Sequence, residues 1–297
     1  MRRAVVAAFV VVLSVPLVLL AFRFTTIDVP GADAANGGTA AEGINAQGDV
    51  VGLYSDSQGV QHAFLRKRTI FNTTFTTIDP PGSEGTAARG INALGDIAGD
   101  YSDDVGSHGF LLSNGRFTTV DVPGGTDTLN VVINDFKEIA GTYFDTDGNP
   151  HGFVSYAYSP LSILHGKKFT TIDFPGSLFT LVTGISNSGD VVGYYRTDTL
   201  HGFLLSNGKF STIEPTGATG SMARGINTRG DIVGTYADAT GAGHAFLFRK
   251  GILFGKGTFT DIDLPGARAR AINDLGNIVG FYIDNSGNTH GFEATQF

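Results

Sequence analysis

Six histidines stand at equivalent positions of a repeated tripeptide, and their type and regular spacing suggest chemistry. Each begins a His-Gly-Phe or His-Ala-Phe sequence, and the six are His62, His108, His151, His201, His244 and His290. An imidazole can bind a metal or transfer a proton, but a metal site requires several of these side chains to converge. Because each belongs to a different repeat, we predict that each makes structural hydrogen bonds within its own unit. The seventh histidine, His165, is predicted to lie in a surface loop.

Turns rich in aspartate follow the tyrosines of most units, and clustered oxygens of this kind suit a hard cation. Examples are Asp56-Ser57-Gln58-Gly59 and Asp145-Thr146-Asp147-Gly148. A calcium loop also requires a longer ligand spacing and a closing glutamate, which these turns lack, so we favour ordinary hairpin turns. A second turn, Asn-x-x-Gly-Asp, starts and ends with residues that we expect to accept backbone N–H bonds. Its aspartates are Asp49, Asp96, Asp190 and Asp231, and its asparagines are Asn45, Asn92, Asn134, Asn227 and Asn273.

The composition argues against several classes of site. The 297 residues include no cysteine, so the chain has neither a thiolate metal site nor a thiol nucleophile. A net charge of −8 leaves no basic face for nucleic acid. No Gly-x-Ser-x-Gly elbow, phosphate-binding loop or dinucleotide fingerprint occurs. We therefore predict no catalytic residue, no metal, no cofactor and no nucleic-acid partner.

The elements that position these residues repeat six times. Residues 90–101, Gly-Ile-Asn-Ala-Leu-Gly-Asp-Ile-Ala-Gly-Asp-Tyr, are one copy, and each copy is followed by the histidine tripeptide. Segments like Phe-Thr-Thr-Ile-Asp recur at intervals of 51, 42, 52, 41 and 49 residues, starting at Phe24, Phe75, Phe117, Phe169, Phe210 and Phe259. Each unit contains four short strand-like runs separated by turn residues, which is typical of a propeller blade. The extra residues of the longer units, 65–74, 154–168 and 247–258, are predicted to lie on the face opposite the ligand or at the rim.

The ends of the repeat predict a closed ring. The first unit begins with a Phe-Thr-Thr-Ile-Asp run at Phe24, whereas the last unit stops at His290-Gly291-Phe292 without one. If the first run completes the last blade, the ring closes with strands from both ends and hides the edges that an open stack exposes. We therefore predict an all-β, six-bladed β-propeller of four-stranded blades over residues 22–297, closed by its N-terminal strand. An open β-solenoid is the alternative, but its terminal units should carry polar caps, which these lack.

The repeated core, the tyrosine after it and the His-Gly/Ala-Phe tripeptide together resemble the bacterial HAF repeat proteins. The signature occurs literally at His62-Ala63-Phe64 and His244-Ala245-Phe246, and the resemblance covers residues 24–292. It implies an exported, extracellular repeat protein and brings no catalytic residues. Two copies depart from the pattern, since Ser186 replaces the usual asparagine and Asp135-Phe136-Lys137-Glu138 replaces the usual turn.

Residues 1–21 form a separate segment. Met1-Arg2-Arg3 precedes an apolar run over residues 4–21, as in a secretory signal. We predict export with cleavage near Ala21, to the periplasm, cell surface or medium. The alternative is a membrane anchor formed by residues 4–21, because the run is almost as long as a span. Contact with the membrane is expected only through this segment, if it is retained.

For function we predict an exported, non-catalytic binding or scaffolding module, monomeric, with a polysaccharide or a cell-surface protein as partner. The Asp-x-Pro-Gly loops and the Tyr-x-Asp loops should share one face, and rigid rings commonly bind ligands through such loops. The ligand-face candidates are Tyr54, Asp56, Tyr101, Asp103, Tyr143, Asp145, Tyr236, Asp238, Tyr282 and Asp284.

Two alternative functions stay open. One is a multivalent, lectin-like propeller with equivalent sugar sites, although the chain has no tryptophan to stack on a sugar. The other is a lyase or hydrolase with a site at the central channel. It predicts that residues departing from the repeat, such as Arg196, Lys137 and Arg270, cluster in one pocket.

Overall fold

The computed structural model describes residues 21–155, 168–251 and 257–296. Residues 1–20 of the predicted export segment 1–21, His165, residues 156–167 of the second insertion and residues 252–256 of the third lie outside these ranges. Within them, no helix is long and apolar enough to cross a membrane. One short 3₁₀ helix, Ala34–Asn36, precedes the first blade.

In the part of the chain that the structure describes, twenty-four strands form six separate four-stranded antiparallel sheets. In chain order they are β1 (Phe22–Ile27), β2 (Thr39–Ile44), β3 (Val50–Ser55), β4 (Gln61–Arg68), β5 (Thr73–Ile78), β6 (Gly85–Ile91), β7 (Ile97–Ser102), β8 (Ser107–Ser113), β9 (Arg116–Val120), β10 (Asp127–Ile133), β11 (Ile139–Phe144), β12 (Pro150–Ser155), β13 (Phe169–Ile172), β14 (Phe179–Ile185), β15 (Val191–Arg196), β16 (Leu200–Ser206), β17 (Lys209–Ile213), β18 (Gly220–Ile226), β19 (Ile232–Ala237), β20 (Gly243–Arg249), β21 (Thr258–Asp261), β22 (Arg268–Ile272), β23 (Ile278–Ile283) and β24 (Thr289–Gln296).

The sheets are the blades of a ring. Blade one is β2 to β5, and each later blade takes the next four strands, except that blade six is β22-β23-β24-β1. The closing strand β1 pairs with β24 from Phe22↔Gln296 to Ile27↔Gly291. The predicted six-bladed β-propeller, with its N-terminal closing strand, is therefore confirmed, and the solenoid alternative is wrong. The first strands of adjacent blades, beginning with β2, contact one another around the axis, so they line the central channel.

A phenylalanine from the third strand fills each blade interface. These rings are at most 1% exposed, and they are Phe64, Phe110, Phe153, Phe203, Phe246 and Phe292. In blade two, Phe110 packs edge-on against Phe117 of the outer strand, with centroids 5.7 Å apart. The glycine of the second strand leaves the space, because a Cβ on Gly99 would come within 2.8 Å of the Phe110 ring and collide with the Ala87 carbonyl. A strand glycine thus allows a large ring to be buried.

The two faces of the ring carry different turns. The asparagine face bears the turns between first and second strands, where Asn92 Oδ1 accepts the N–H groups of Leu94 (3.0 Å) and Asp96 (2.9 Å). The prediction that the aspartates accept backbone N–H bonds is wrong at Asp96, because the asparagine already takes both. The Asp96 carboxylate instead accepts from Asn92, from Ser113 Oγ and from Lys137 Nζ of blade three (2.9 Å). These bonds outweigh burial and lower the pKa of Asp96.

The same asparagines link the blades around the axis. Asn45 Nδ2 donates to the carbonyl of Asn92 in the next blade at 3.2 Å, and four further links follow this pattern. They are Asn92 to Asn134 (3.4 Å), Asn134 to Ser186 (3.0 Å), Asn227 to Asn273 (3.2 Å) and Asn273 to Asn45 (2.9 Å). In the sixth turn the Ser186 hydroxyl takes the place of the asparagine amide oxygen as acceptor of the turn N–H groups. Its side chain is too short to donate to the carbonyl of Asn227 in the next blade. This asparagine ring therefore has five links among six turns.

A buried ion pair also joins the first and last blades. Arg66 on β4 donates to Glu293 on β24 at 2.7 Å, and their side chains are 4% and 5% exposed. Arg66 also donates to the Gly48 carbonyl on the asparagine face. The hairpin around residues 65–74 thus lies towards the asparagine face, as predicted.

Candidate functional site

The histidine face carries the turns between second and third strands and the loops between blades. In blade one, His62 Nδ1 lies 2.7 Å from Asp79 in the loop to blade two, and Nε2 lies 3.5 Å from Asp56 in the turn. The two predicted loop sets therefore share one face. Corresponding bridges join His108 to Asp121 and Asp103, His151 to Asp173 and Asp145, and His290 to Asp28 and Asp284. The histidines have the hydrogen-bonding role expected of them.

These bridges shift the pKa values of both partners. The hydrogen bond that His62 donates to Asp79 raises the pKa of His62, and the bond that His108 donates to Asp121 raises the pKa of His108. The backbone N–H of Val60 lowers the pKa of Asp56. The backbone and side chain of Asn149 lower the pKa of Asp145 to about 2. Asp56 and Asp145 therefore stay ionised at neutral pH, and their oxygens accept N–H groups of their own turns.

The ten ligand-face candidates lie in five blade-local clusters rather than in one site. In each, the tyrosine ring packs on its histidine with centroids 5.0–5.3 Å apart, and the aspartate lies beside that histidine. The pairs are Tyr54 with Asp56, Tyr101 with Asp103, Tyr143 with Asp145, Tyr236 with Asp238, and Tyr282 with Asp284. Their role in binding stays a prediction. Tyr195 forms the sixth cluster, since its ring packs on His201 with centroids 5.2 Å apart. It does not fit the Tyr-x-Asp pattern, because its aspartate, Asp198, comes one residue later than in the other blades.

The central channel holds a layer of charged side chains on the first strands of four blades. Arg89 donates from Nε to Asp100 at 2.9 Å and lies 3.6 Å from Glu42. Arg270 Nε lies 3.3 Å from Glu42 but makes no hydrogen bond with it or with any other described residue. Arg224 forms no ion pair among the described residues, and its guanidinium lies 4.8 Å from the Tyr194 ring centroid. Glu42 is therefore shared by two arginines, while Arg224 has no carboxylate.

Arg89 and Arg224 occupy equivalent positions in blades two and five, but their pKa values are shifted in opposite directions. Burial lowers the pKa of Arg224 to about 10, and the charge of Arg270 adds to this effect. Burial acts in the same direction on Arg89, but the charges of Asp100 and Glu42 outweigh it and raise its pKa above the usual value. Arg224 stays charged at neutral pH, and the charge of Glu42 opposes the lowering although the two form no ion pair among the described residues.

A cavity of about 350 Å³ opens beside this layer, between blades five and six. Its walls include Arg224, Arg268 and Arg270, together with the rings of Tyr236 and Phe281. The Arg270 guanidinium lies 5.1 Å from the Phe281 centroid. A side chain on Gly243 would come within 3.0 Å of Arg268 Cζ, so this glycine makes room for the third guanidinium. We name these five side chains the arginine cleft.

The arginine cleft occurs once in the ring. The place of Arg268 on the first strand is taken in the other blades by smaller or apolar residues, namely Ala40, Ala87, Leu129, Leu181 and Met222. Of its residues, only Arg270 and Tyr236 were singled out from the sequence. Arg224 and Arg268 were missed. Arg268 stands where the first two blades have Ala40 and Ala87, whereas Arg224 repeats the arginine that blade two has at Arg89.

The residues named for the enzyme alternative do not cluster. Arg270 lies in the channel, whereas Lys137 binds Asp96 on the asparagine face and Arg196 is exposed at the end of β15. The prediction that they share one pocket is wrong, and this counts against the hypothesis in that form. A second cavity, of about 530 Å³ between blades three and four, is lined by Glu138, Asp190 and other described residues, without a lysine or arginine among them.

Fold and site together define a β-propeller with one polar cleft beside its axis. No protein-family model matches the chain, and no curated protein matches it by sequence. Solved propellers match its shape. AofleA from Arthrobotrys oligospora superposes with a TM-score of 0.55 at 11% identity, covering 93% of this chain and 90% of that one. SapL1 lectin in complex with α-methyl fucoside scores 0.51 at 14% identity, with coverages of 85% and 89%. The Aleuria aurantia lectin, in complex with Fucα1-6GlcNAc, scores 0.50 at 12% identity, with coverages of 92% and 96%. At these identities the similarity establishes the fold alone.

Proposed function

We propose that this chain is an exported, non-catalytic propeller that binds carbohydrate in the arginine cleft. The observation that carries the proposal is one cavity of about 350 Å³ in which guanidinium groups and aromatic rings converge. Ligand pockets of proteins start at about 300 Å³ and combine apolar walls with a few polar groups. The two lectins of the same fold, whose structures are in complex with fucosides, give the proposal indirect support.

The cleft offers the two kinds of contact that a sugar ring needs. The apolar C–H face of a sugar can pack on Phe281 or Tyr236, as it would on any aromatic ring. Its hydroxyl groups can accept hydrogen bonds from Arg268 and Arg224, whose planar groups present several donors in fixed directions. Because the strands around the cleft are held by the ring, these groups are oriented before the ligand arrives.

The proposal differs from the multivalent alternative in stoichiometry. The arginine cleft is present once, whereas the Tyr–His clusters recur in all six blades. A glycan array probed with residues 22–297, followed by calorimetry on each hit, separates the two. One site per chain supports the cleft, and three to six sites support the multivalent lectin. Absence of binding to any glycan would refute both.

Substitution then locates the site. Arg268→Gln removes one guanidinium from the cleft, and its side chain forms no ion pair among the described residues. The matched control is Arg116→Gln, because Arg116 is exposed on β9 of blade two, far from blades five and six. We expect the first variant to weaken binding about tenfold, as for the loss of one good hydrogen bond to ligand, and the second to leave it unchanged. Equal affinities of both variants and the parent would reject the cleft.

Export is proposed from the composition of residues 1–21 and from the HAF resemblance. Expression of the full chain in a bacterial host, followed by fractionation and N-terminal sequencing, provides the test. A soluble product outside the cytoplasm that begins near Phe22 supports cleavage, and a membrane-bound product that keeps Met1 supports the anchor. A soluble cytoplasmic product that keeps Met1 would refute export.

Light scattering on residues 22–297 tests the proposed monomer.

A further inference from the structure

The arginines around the channel differ in how far their charge is already satisfied. Arg89 binds Asp100 through two hydrogen bonds, of 2.9 and 3.2 Å, and also faces Glu42. Arg224 and Arg268 form no ion pair among the described residues, and Arg270 has a buried Nε without a hydrogen-bond partner there. The one carboxylate beside them, Glu42, is 8% exposed and is already shared between Arg89 and Arg270. Arg224 donates to Met222 Sδ at 3.2 Å, but neither it nor Arg268 has a carboxylate within ion-pair distance among the described residues, so the cleft carries cationic donors without a paired anion of their own.

We propose that the carbohydrate bound in the arginine cleft is acidic, and that its carboxylate is received by Arg224, Arg268 and Arg270. This inference rests on the proposed function of the same cleft and adds the class of sugar, such as an oligosaccharide of uronic acid. A guanidinium forms paired, charge-assisted hydrogen bonds with a carboxylate, and these are roughly twice as strong as neutral ones. A neutral sugar would leave part of this donor capacity without a charged partner.

The surroundings of the cleft strengthen the preference. The chain as a whole has a net charge of −8, so a cleft with three arginines is a positively charged site on an otherwise acidic protein. Arg224 and Arg270 lie close enough for the second to lower the pKa of the first, and an anion between them would relieve that repulsion. The rings of Tyr236 and Phe281 form apolar walls beside them, and an ion pair against such a low-dielectric wall is stronger than one on an open surface.

The test compares two oligosaccharides that differ only in the acid group. A uronic-acid oligosaccharide and its carboxyl-reduced counterpart, in which each carboxylate has become a neutral alcohol, are titrated into residues 22–297 by calorimetry. A sulfated oligosaccharide forms the third arm, because sulfate is an oxyanion of different geometry. We expect the carboxylate form to bind at least about tenfold tighter than both others, with the advantage shrinking as salt is raised.

Variants assign the preference to named residues. Arg224→Gln should remove most of the advantage of the acid form, whereas Arg116→Gln, which changes the net charge equally, should keep it. If Arg224→Gln does not fold, as judged by circular dichroism, Arg268→Gln tests the same prediction from the outer wall of the cleft. Retained preference in the folded variant, equal binding of the acid and neutral forms, or tighter binding of the sulfated form would overturn the proposal while leaving carbohydrate binding intact. If no oligosaccharide binds, the proposed function itself fails.

Discussion

The missing link of the asparagine ring can be supplied by one substitution, Ser186→Asn. In the five existing links an amide Nδ2 donates to a carbonyl of the next blade at 2.9–3.4 Å. In the sixth turn Ser186 keeps the acceptor role, since its hydroxyl receives the N–H groups of Ser188 and Asp190 at 3.2 Å. An asparagine there would keep both of these bonds and would add a donor facing the carbonyl of Asn227. Blade four would then be tied to blade five as the others are tied to their neighbours.

The expected gain is about 1 kcal/mol in the free energy of unfolding. A neutral hydrogen bond contributes roughly 0.5–1.5 kcal/mol net, and ordering the longer side chain removes part of this. For a domain of this size the gain corresponds to an increase of about 2 °C in Tm. Urea denaturation and calorimetry of residues 22–297 measure both quantities. The matched control is Asn273→Ser, which removes the donor that closes the ring at 2.9 Å from the Asn45 carbonyl.

The two variants should shift stability in opposite directions. Asn273→Ser should lower it by about 0.5–1.5 kcal/mol, because the carbonyl of Asn45 loses the bond from Asn273 and keeps only the one from the Gly48 N–H. If Ser186→Asn were neutral or destabilising while Asn273→Ser had no effect, the asparagine links would not hold the blades together. A change in the slope of the urea transition would instead indicate an altered unfolded state.

Other parts of the ring give three more predictions. Stability should be greatest at mildly acidic pH. Histidines with a raised pKa, such as His62, stabilise the fold below pH 6.5, and this contribution is lost as the pH rises through the raised pKa. Aspartates with a lowered pKa, such as Asp56, stabilise it above pH 3.8, and this contribution is lost as the pH falls through the lowered pKa. A pH series of urea midpoints checks this, and a maximum above pH 8 would contradict it. Glu293→Gln should cost about 3–5 kcal/mol by leaving Arg66 buried without its anion, and the added change Arg66→Met should restore much of the loss in the same urea assay. Phe110→Ala should cost about 3–5 kcal/mol through a cavity, whereas replacement of Phe136, which is 68% exposed, should change the urea midpoint little.

Much of the fold could be predicted because its information is repeated. The turn after Asn92 and the run from Phe117 recur at similar spacing in every unit, so a strand boundary supported in one unit is supported in the others. The offset between Phe24 and the final unit then predicted the closing strand. The histidines were predictable for the same reason, since a residue present in every blade belongs to the blade.

The site could not be predicted in the same way, because it combines a departure, Arg268, with Arg224, whose contacts differ from those of the equivalent Arg89. Arg224 and Arg268 look like ordinary charged residues until the first strand of each blade is known to line the axis. The roles within the turn were also misjudged, because Asn92 and Asp96 both carry oxygen acceptors and only geometry shows which one faces the backbone N–H groups. Residue type alone does not distinguish an arginine that is paired, such as Arg89, from one that is not.

The pairing of β1 with β24 also determines when the propeller can be completed. During synthesis, blades one to five can form as their strands emerge, whereas blade six waits for a strand made first and another made last. Until β24 arrives, β1 has an open edge and Arg66 lacks Glu293. The order of emergence therefore makes closure the final event of folding, and a chain cut short before β24 would carry both defects and be recognisable as unfinished.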